Sequence, residues 1–329
     1  MKFKGTLLVI ITQCCILLTA STNHANIGRM GMSRLIGRHD VTSSPVRANM
    51  GVGRIIGGHE AEAHSHPYMV SLQLRVLWVR VHYCGGALIS DSWVLTAGHC
   101  IKSWVIYLFG IDAVAGAHDA FFPEKTAQII RVAERIPHPL YNGDIGPHDI
   151  GLVRTKQPFQ FTKDIQPIHL PTDSIVHPSL TLIGWGELKT TWFFPALPSK
   201  LQEVNQEYIP HKKCYNAVND LLDYGEINPL VEDANICTGP ITGGIAACNG
   251  DSGGPLVEYV PTLKSANTSD DDNALEEITD KEDNIEYVPV LLGVVSWGVT
   301  PCGEVGAPTV FTNVTHNMDF IMVNTQLKI

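Results

Sequence analysis

The strongest chemical signal in the 329-residue chain is a serine in a glycine-rich stretch, Ala247-Cys248-Asn249-Gly250-Asp251-Ser252-Gly253-Gly254-Pro255-Leu256. A hydroxyl on so tight a turn can act as a nucleophile, with nearby backbone N–H groups free to hold an oxyanion. Gly250-Asp251-Ser252-Gly253-Gly254 also fits the G-x-S-x-G elbow of α/β-hydrolases, so the motif alone leaves two architectures open. Chain order separates them. The elbow needs its acid and histidine after the serine, yet only His316 follows Ser252, and no βαβ pattern accompanies it. Upstream, Thr96-Ala97-Gly98-His99-Cys100 puts a histidine at the end of a strand-like run, and His148-Asp149-Ile150-Gly151-Leu152 puts an aspartate at the head of another. The order His99…Asp149…Ser252 suits acyl transfer by a Ser-His-Asp triad.

The elements that must position these residues are short. Tyr68–Leu74, Ala87–Ile89, Trp93–Thr96, Ile150–Val153, Leu180–Trp185 and Leu291–Trp297 are runs rich in β-branched and large apolar residues, punctuated by Gly and Pro. They predict an antiparallel all-β fold. Met318, Ile321 and Met322 fall at helical spacing and predict one C-terminal helix. No internal repeat is visible.

With these motifs in order, the chain resembles the chymotrypsin-fold (trypsin-like) serine proteases over about residues 55–325, through IIGG, TAGHC, DIGLV, GDSGGP and SWG. The resemblance implies two antiparallel six-stranded β-barrels, about 55–165 and 166–329, with the triad in the cleft between them. In that scheme Ser252 attacks the peptide carbonyl and His99 takes its proton, later passing it to the leaving amine. Asp149 orients His99, and the N–H groups of Gly250 and Ser252 form the oxyanion hole. Gly98 stands where the family commonly has Ala. The implied disulfides are Cys84–Cys100, Cys214–Cys237 and Cys248–Cys302; cysteine number alone allows 15 pairings.

The same resemblance implies a zymogen. Cleavage after Arg54 in Gly53-Arg54-Ile55-Ile56-Gly57-Gly58 frees an ammonium at Ile55, which pairs with the carboxylate of Asp251 and orders the oxyanion loop. The implied specificity pocket has Ala246 as its floor and Ser296, Trp297, Gly298 and Thr309 as walls. A basic P1 side chain needs a buried carboxylate partner. Ala246 offers none, and Thr309, where deep pockets carry Gly, shortens the slot. The expectation is an elastase-like or chymotrypsin-like preference for uncharged P1 residues, with small and medium aliphatics ahead of large aromatics. Glu304, close to the pocket loop in sequence, is the alternative that would serve a basic P1 residue.

Composition agrees with export. Met1–Ala20 has Lys2 and Lys4 before an apolar run interrupted at Thr12-Gln13, then small residues, which reads as a signal peptide and is too short for a membrane anchor. Residues 21–54 read as a solvated pro-segment. Seven of the 23 basic residues lie before residue 55 against Asp40 alone, so the body is strongly acidic, and a nucleic-acid partner is excluded. Six cysteines outside the signal form an even set without CxxC spacing, as in a secreted disulfide-bonded protein. Asn267 and Asn313 head glycosylation sequons.

Residues 258–289 hold ten acids against Lys264 and Lys281 and read as a solvated acidic loop insertion; a partner-binding loop is the alternative. No cofactor and no metal are expected. The HExxxH at His59–His64 spaces its histidines wrongly for zinc on a helix, and Ile111 replaces the Glu of calcium-binding relatives. His64 and His66 read as a surface pair and His138 as a surface-loop residue. The expected partners are protein or peptide substrates, an activating protease and protein inhibitors, with the chain a monomer. A protease-like binding protein without turnover is the rival reading.

Overall fold

The computed structural model describes residues 56–172, 179–190, 197–263 and 285–327. The expected signal peptide, pro-segment, Arg54, Ile55, Asn267 and the tip of the acidic segment lie outside these residues.

Two rings of antiparallel strands make up the fold. In the first, β2 (Met69–Val76), β3 (Val79–Leu88), β4 (Trp93–Thr96), β5 (Ile111–Ala115), β6 (Gln128–Pro137) and β7 (Gly151–Thr155) close in the order β2-β3-β4-β7-β6-β5. In the second, β8 (Ser179–Gly184), β9 (Gln202–Ile209), β10 (Asn235–Gly239), β11 (Pro255–Leu263), β12 (Ile285–Gly298) and β13 (Thr309–Asn313) run in the order β9-β10-β13-β12-β11-β8 and close by the pairing of β8 with β9. The two six-stranded barrels are those the sequence led us to expect. Closure pairs both sides of each strand around the two rings, which suits strands this short. β9 shows the barrel alternation: Gln202, Val204 and Gln206 face in, while Asn205 and Glu207 face out; Ile209, on the outer face, is buried against Cys214 and Val218.

Among the described residues, three short helices connect strands, α1 (Gly98–Lys102), α2 (Trp104–Phe109) and α3 (His211–Asn219), and a fourth, α4 (Met318–Thr325), follows β13. Of these the sequence predicted only α4. In α2, the Ser103 hydroxyl accepts from Val105 N–H at the start, and Gly110 ends it at φ +68°.

Each barrel is strapped by an end of the other half. The two-residue strand β1 (His59–Glu60), which precedes the first barrel, pairs with Glu203 and Gln202 of the second. α4, which follows the second, sets Phe320 against His138 of the first, with ring centroids 4.7 Å apart.

The acidic segment begins and ends differently from the expected loop. β11 and β12 stay paired outward to Leu263 opposite Ile285, so 258–263 and 285–289 are the arms of a hairpin. Tyr259-Val260 opposite Val288-Pro289 keep β-type pairing there despite the surrounding charge. His66 is likewise no surface residue. It is 5% exposed; its Nε2 lies 2.7 Å from Glu203 Oε2, and its Nδ1 lies 3.1 Å from the Tyr68 hydroxyl.

Candidate active site

The two barrels meet at glycines. A Cβ on Gly85 of β3 would stand 2.8 Å from Gly254 Cα, so backbone alone fits between the strands there. Gly85 N–H donates to Ser252 O (2.8 Å), and the Thr96 hydroxyl donates to Gly85 O (2.8 Å). Gly253, at φ +77°, lets the chain turn under Thr96. These contacts carry Ser252, on the loop before β11, to the end of β4, where His99 sits in α1.

Asp149 lies two residues before the start of β7 and is buried. Its Oδ1 accepts from His99 N–H and its Oδ2 lies against His99 Nδ1, both at 2.8 Å. From the second barrel the Ser296 hydroxyl donates to Oδ2 (2.7 Å), and the Thr312 hydroxyl donates to Asp149 O (2.9 Å). Three donors thus fix the carboxylate, and the imidazole can take only one orientation. Burial resists charging His99, but the Asp149 carboxylate outweighs it and raises the imidazole pKa above its ordinary value. Tyr141 walls the same corner; burial and then the Asp149 charge push its phenol well up. A Cβ on Gly98 would stand 2.9 Å from the Tyr141 ring, so Gly at this position matches a close neighbour. No hydrogen bond joins Ser252 Oγ to His99 in this structure; His99 Nε2 lies 3.6 Å from Cys100 Sγ. Such bonds are often long without substrate.

Around the serine, Gly250 takes φ +97°, and the N–H groups of Gly250 and Ser252 have no hydrogen-bond partner among the described residues. His82 holds this loop from the first barrel. Its Nε2 donates to Gly250 O (2.9 Å), and its Nδ1 accepts from Ser71 Oγ (2.8 Å). Burial keeps that ring neutral, its pKa lowered to about 4. Asp251 points the other way, its Oδ1 accepting from Gly186 N–H (2.7 Å) and its Oδ2 from Cys248 N–H (2.9 Å). Burial drives its pKa up to about 7 against those two donors, and no cation pairs with it among the described residues.

The residues expected to line a pocket are gathered on one side. Ala246 is buried and bridges to Ile56, accompanied by Ala246 N–H donating to Ile56 O (3.3 Å). Ser296, Trp297 and Gly298 end β12 beside Thr309 at the start of β13. The Thr309 hydroxyl accepts from Ala247 N–H (3.2 Å), which ties that wall to the residue after the floor. A Cβ on Gly298 would meet only Pro308 O, at 3.9 Å, so that wall is open. Glu304 is exposed. Three disulfides, Cys84–Cys100, Cys214–Cys237 and Cys248–Cys302, brace the α1 turn, α3 and the pocket respectively. Asn313 uses its amide to donate to Asp233 O (2.7 Å) and to accept from Thr315 N–H (3.0 Å). Sequence reasoning missed His82, Tyr141 and Thr312; of these only His82, two residues before Cys84, stands beside a motif.

A profile of the trypsin family matches residues 55–321. The chain belongs to the trypsin family. It is therefore a serine protease of a class that acts on proteins. Lectizyme of Glossina austeni is 34% identical over 275 residues, covering 79% of this chain and 82% of its own. Kallikrein-2 of Homo sapiens is 31% identical over 280 residues, covering 82% and 88%. Mast cell protease 3 of Ovis aries is 37% identical over 210 residues, covering 62% and 75%.

Proposed function

We infer that this trypsin-family protein is a secreted endopeptidase made as a zymogen, with Ser252 as nucleophile, His99 as general base and acid, and Asp149 as the group that orients His99. The observation that carries the reading is the buried Asp149 carboxylate gripping both N–H and Nδ1 of His99, beside a serine turn with two free N–H groups. Ser252 Oγ adds to the peptide carbonyl while its proton passes to His99 Nε2. The oxyanion accepts from Gly250 and Ser252 N–H. Collapse breaks the C–N bond, and the leaving amine takes the proton from His99. Water, activated by the same imidazole, then hydrolyses the acyl-enzyme.

Two features support the finer reading. For activation, Asp251 is a buried carboxylate with no cation paired to it among the described residues, and Ile56 bridges to Ala246, five residues before Asp251, so an ammonium freed at Ile55 is one residue from that contact. For specificity, Ala246 gives the pocket an uncharged floor, and Thr309, bonded to Ala247 beside that floor, shortens the slot. Small and medium aliphatic P1 residues follow, with Phe and Tyr behind them. The peptide backbone adds as an antiparallel strand along Ser296–Gly298.

The test is a peptide panel varied only at P1, with protein cut after Arg54 and Ser252→Ala as control. Turnover after Ala, Val or Leu is expected. Preference for Arg would overturn the pocket and implicate Glu304. Turnover no higher than the control would favour a binding protein that has kept the fold.

A further inference from the structure

We propose that the turn between β2 and β3 and the outer side of α2 form a docking surface for a membrane carrying anionic headgroups. α2 reads Trp104-Val105-Ile106-Tyr107-Leu108-Phe109, apolar or aromatic at every position. A helix apolar on all sides is normally buried, yet half of this one faces solvent. At about 3.6 residues per turn, Val105, Ile106 and Phe109 share one side, and they cluster with Leu74 and Val76 of β2. Trp104, Tyr107 and Leu108 share the opposite side and are exposed.

The neighbouring turn breaks a rule of its own. Val76 pairs with Val79, so only Leu77 and Trp78 join the two strands. Leu77 holds φ +56°, where hairpin turns favour glycine. Small polar residues would relieve that backbone and suit water better. Instead two large apolar side chains stand at the tip. They begin one residue beyond the Val76 that seats α2, so turn and helix sit side by side.

Charge selects the occupant. Arg75 and Arg80 face each other across the strands just behind the tip. Both reach the buried Asp112 carboxylate, at 3.5 and 3.0 Å, and Arg131 lies opposite Asp112 across β5 and β6. Arg135 sets its guanidinium 4.4 Å from the centroid of the Tyr107 ring. Four arginines against the one acid they surround leave +3 at this edge of a strongly acidic body.

Shape argues the same way. Leu77, Trp78, Tyr107 and Leu108 are each 64–79% exposed, so they project and do not line a groove that a peptide could fill. Projecting Trp, Tyr and Leu above a basic rim suit the boundary between acyl chains and headgroups. There aromatic rings bury their bodies and keep their polar tips wet, while arginines meet lipid phosphate. Only Ser103 separates α2 from α1, which carries His99, so docking holds that turn close to the lipid. The proposal needs nothing from the catalytic reading.

The test is cosedimentation with vesicles. Ser252→Ala protein, cut after Arg54 to remove the basic pro-segment, is mixed with vesicles of phosphatidylcholine alone, or of phosphatidylcholine and phosphatidylserine in equal parts. A basic residue near an anionic surface is worth about fivefold in partitioning, so the net charge at the patch predicts roughly 100-fold tighter binding to the mixed vesicles. Brominated acyl chains should quench tryptophan emission in the bound state. Trp78→Ser and Leu108→Ser, each checked for an unchanged melting temperature, should weaken binding by at least about tenfold, because a large apolar side chain no longer leaves water. Tyr224→Ser, at an exposed site in the second half, should bind as the parent does. Absence of binding to the mixed vesicles overturns the proposal, as does binding that both patch variants leave unchanged. Binding that salt abolishes and that brings no quenching overturns it too, since the arginines would then hold a polyanion without a bilayer. A parent that sediments as a dimer, with both patch variants monomeric, would give the surface to a second copy of the chain and overturn it likewise.

Discussion

Asp149 is held from both halves of the molecule, and its charge sets the behaviour of His99. Because that carboxylate raises the imidazole pKa against burial, and because a general base must be neutral, kcat/KM should fall in acid with a midpoint on the alkaline side of the ordinary imidazole value. Asp149→Asn should lower kcat by about 10⁴-fold and move that midpoint toward acid. A pH–rate profile with the same midpoint in both proteins would mean that another group titrates. At this scale the sequence was partly legible. Ser252, His99 and Asp149 announce themselves because nucleophile, base and orienting acid must be particular residue types, each set in a distinctive short context. Thr312 and Tyr141 do not. Each is ordinary in its own segment, and Thr312 acquires meaning only when the second barrel packs on the first and brings it onto the Asp149 carbonyl, 163 residues away in sequence. His66 misled for a similar reason, since its partner Glu203 lies 137 residues on.

Thr309 opens β13, and its hydroxyl fastens that wall to Ala247, beside the pocket floor. Thr309→Gly should deepen the slot and shift the ratio of Phe to Ala turnover at P1 upward by roughly 10–200-fold, the range expected of a small change in apolar contact. A P1 panel with an unchanged ratio would show that the slot is closed elsewhere. The β11–β12 hairpin makes the opposite kind of prediction. Its inner half, Leu291–Ser296, is buried, while its outer arms are largely exposed. Replacing residues 264–284 with a two-residue turn should therefore leave both the melting temperature and kcat/KM on short peptides nearly unchanged. A fall in either would give the acidic tip a role in the barrel or the cleft. The strands themselves were legible as short β-branched runs. The hairpin arms were not, because counting charge over 258–289 averaged the Tyr and Val of the arms with the acids between them.

Across the whole molecule, the buried Asp251 couples stability to pH. Its folded pKa, about 7, lies above the ordinary carboxylate value because burial outweighs its two N–H donors. A group shifted that way stabilises the fold while protonated, and the contribution is lost as pH rises from about 4 through about 7. The uncut chain should therefore melt lower at pH 8 than at pH 5. Once an ammonium at Ile55 pairs with the carboxylate, the folded pKa drops and that loss should shrink. Melting curves of Ser252→Ala protein before and after cleavage provide the check; identical pH dependence in both forms would sink the pairing. Arg54→Ala should remain folded and without activity, and appreciable turnover by that variant would remove the switch. The two barrels were legible through the family motifs, but their closure depends on pairings between distant strands that no local pattern shows.

The straps that each half lends the other, β1 lying on β9 and α4 seated by His138, also have a mechanical side. Tension applied at the two ends of the chain reaches those seats before it reaches either ring of strands, and one of the seats is only two residues wide. Under load the halves should part while each barrel is still intact. Because His99 and Asp149 ride on one half and Ser252 on the other, stretching would silence the molecule long before unravelling it, and slackening would let the halves close again without refolding.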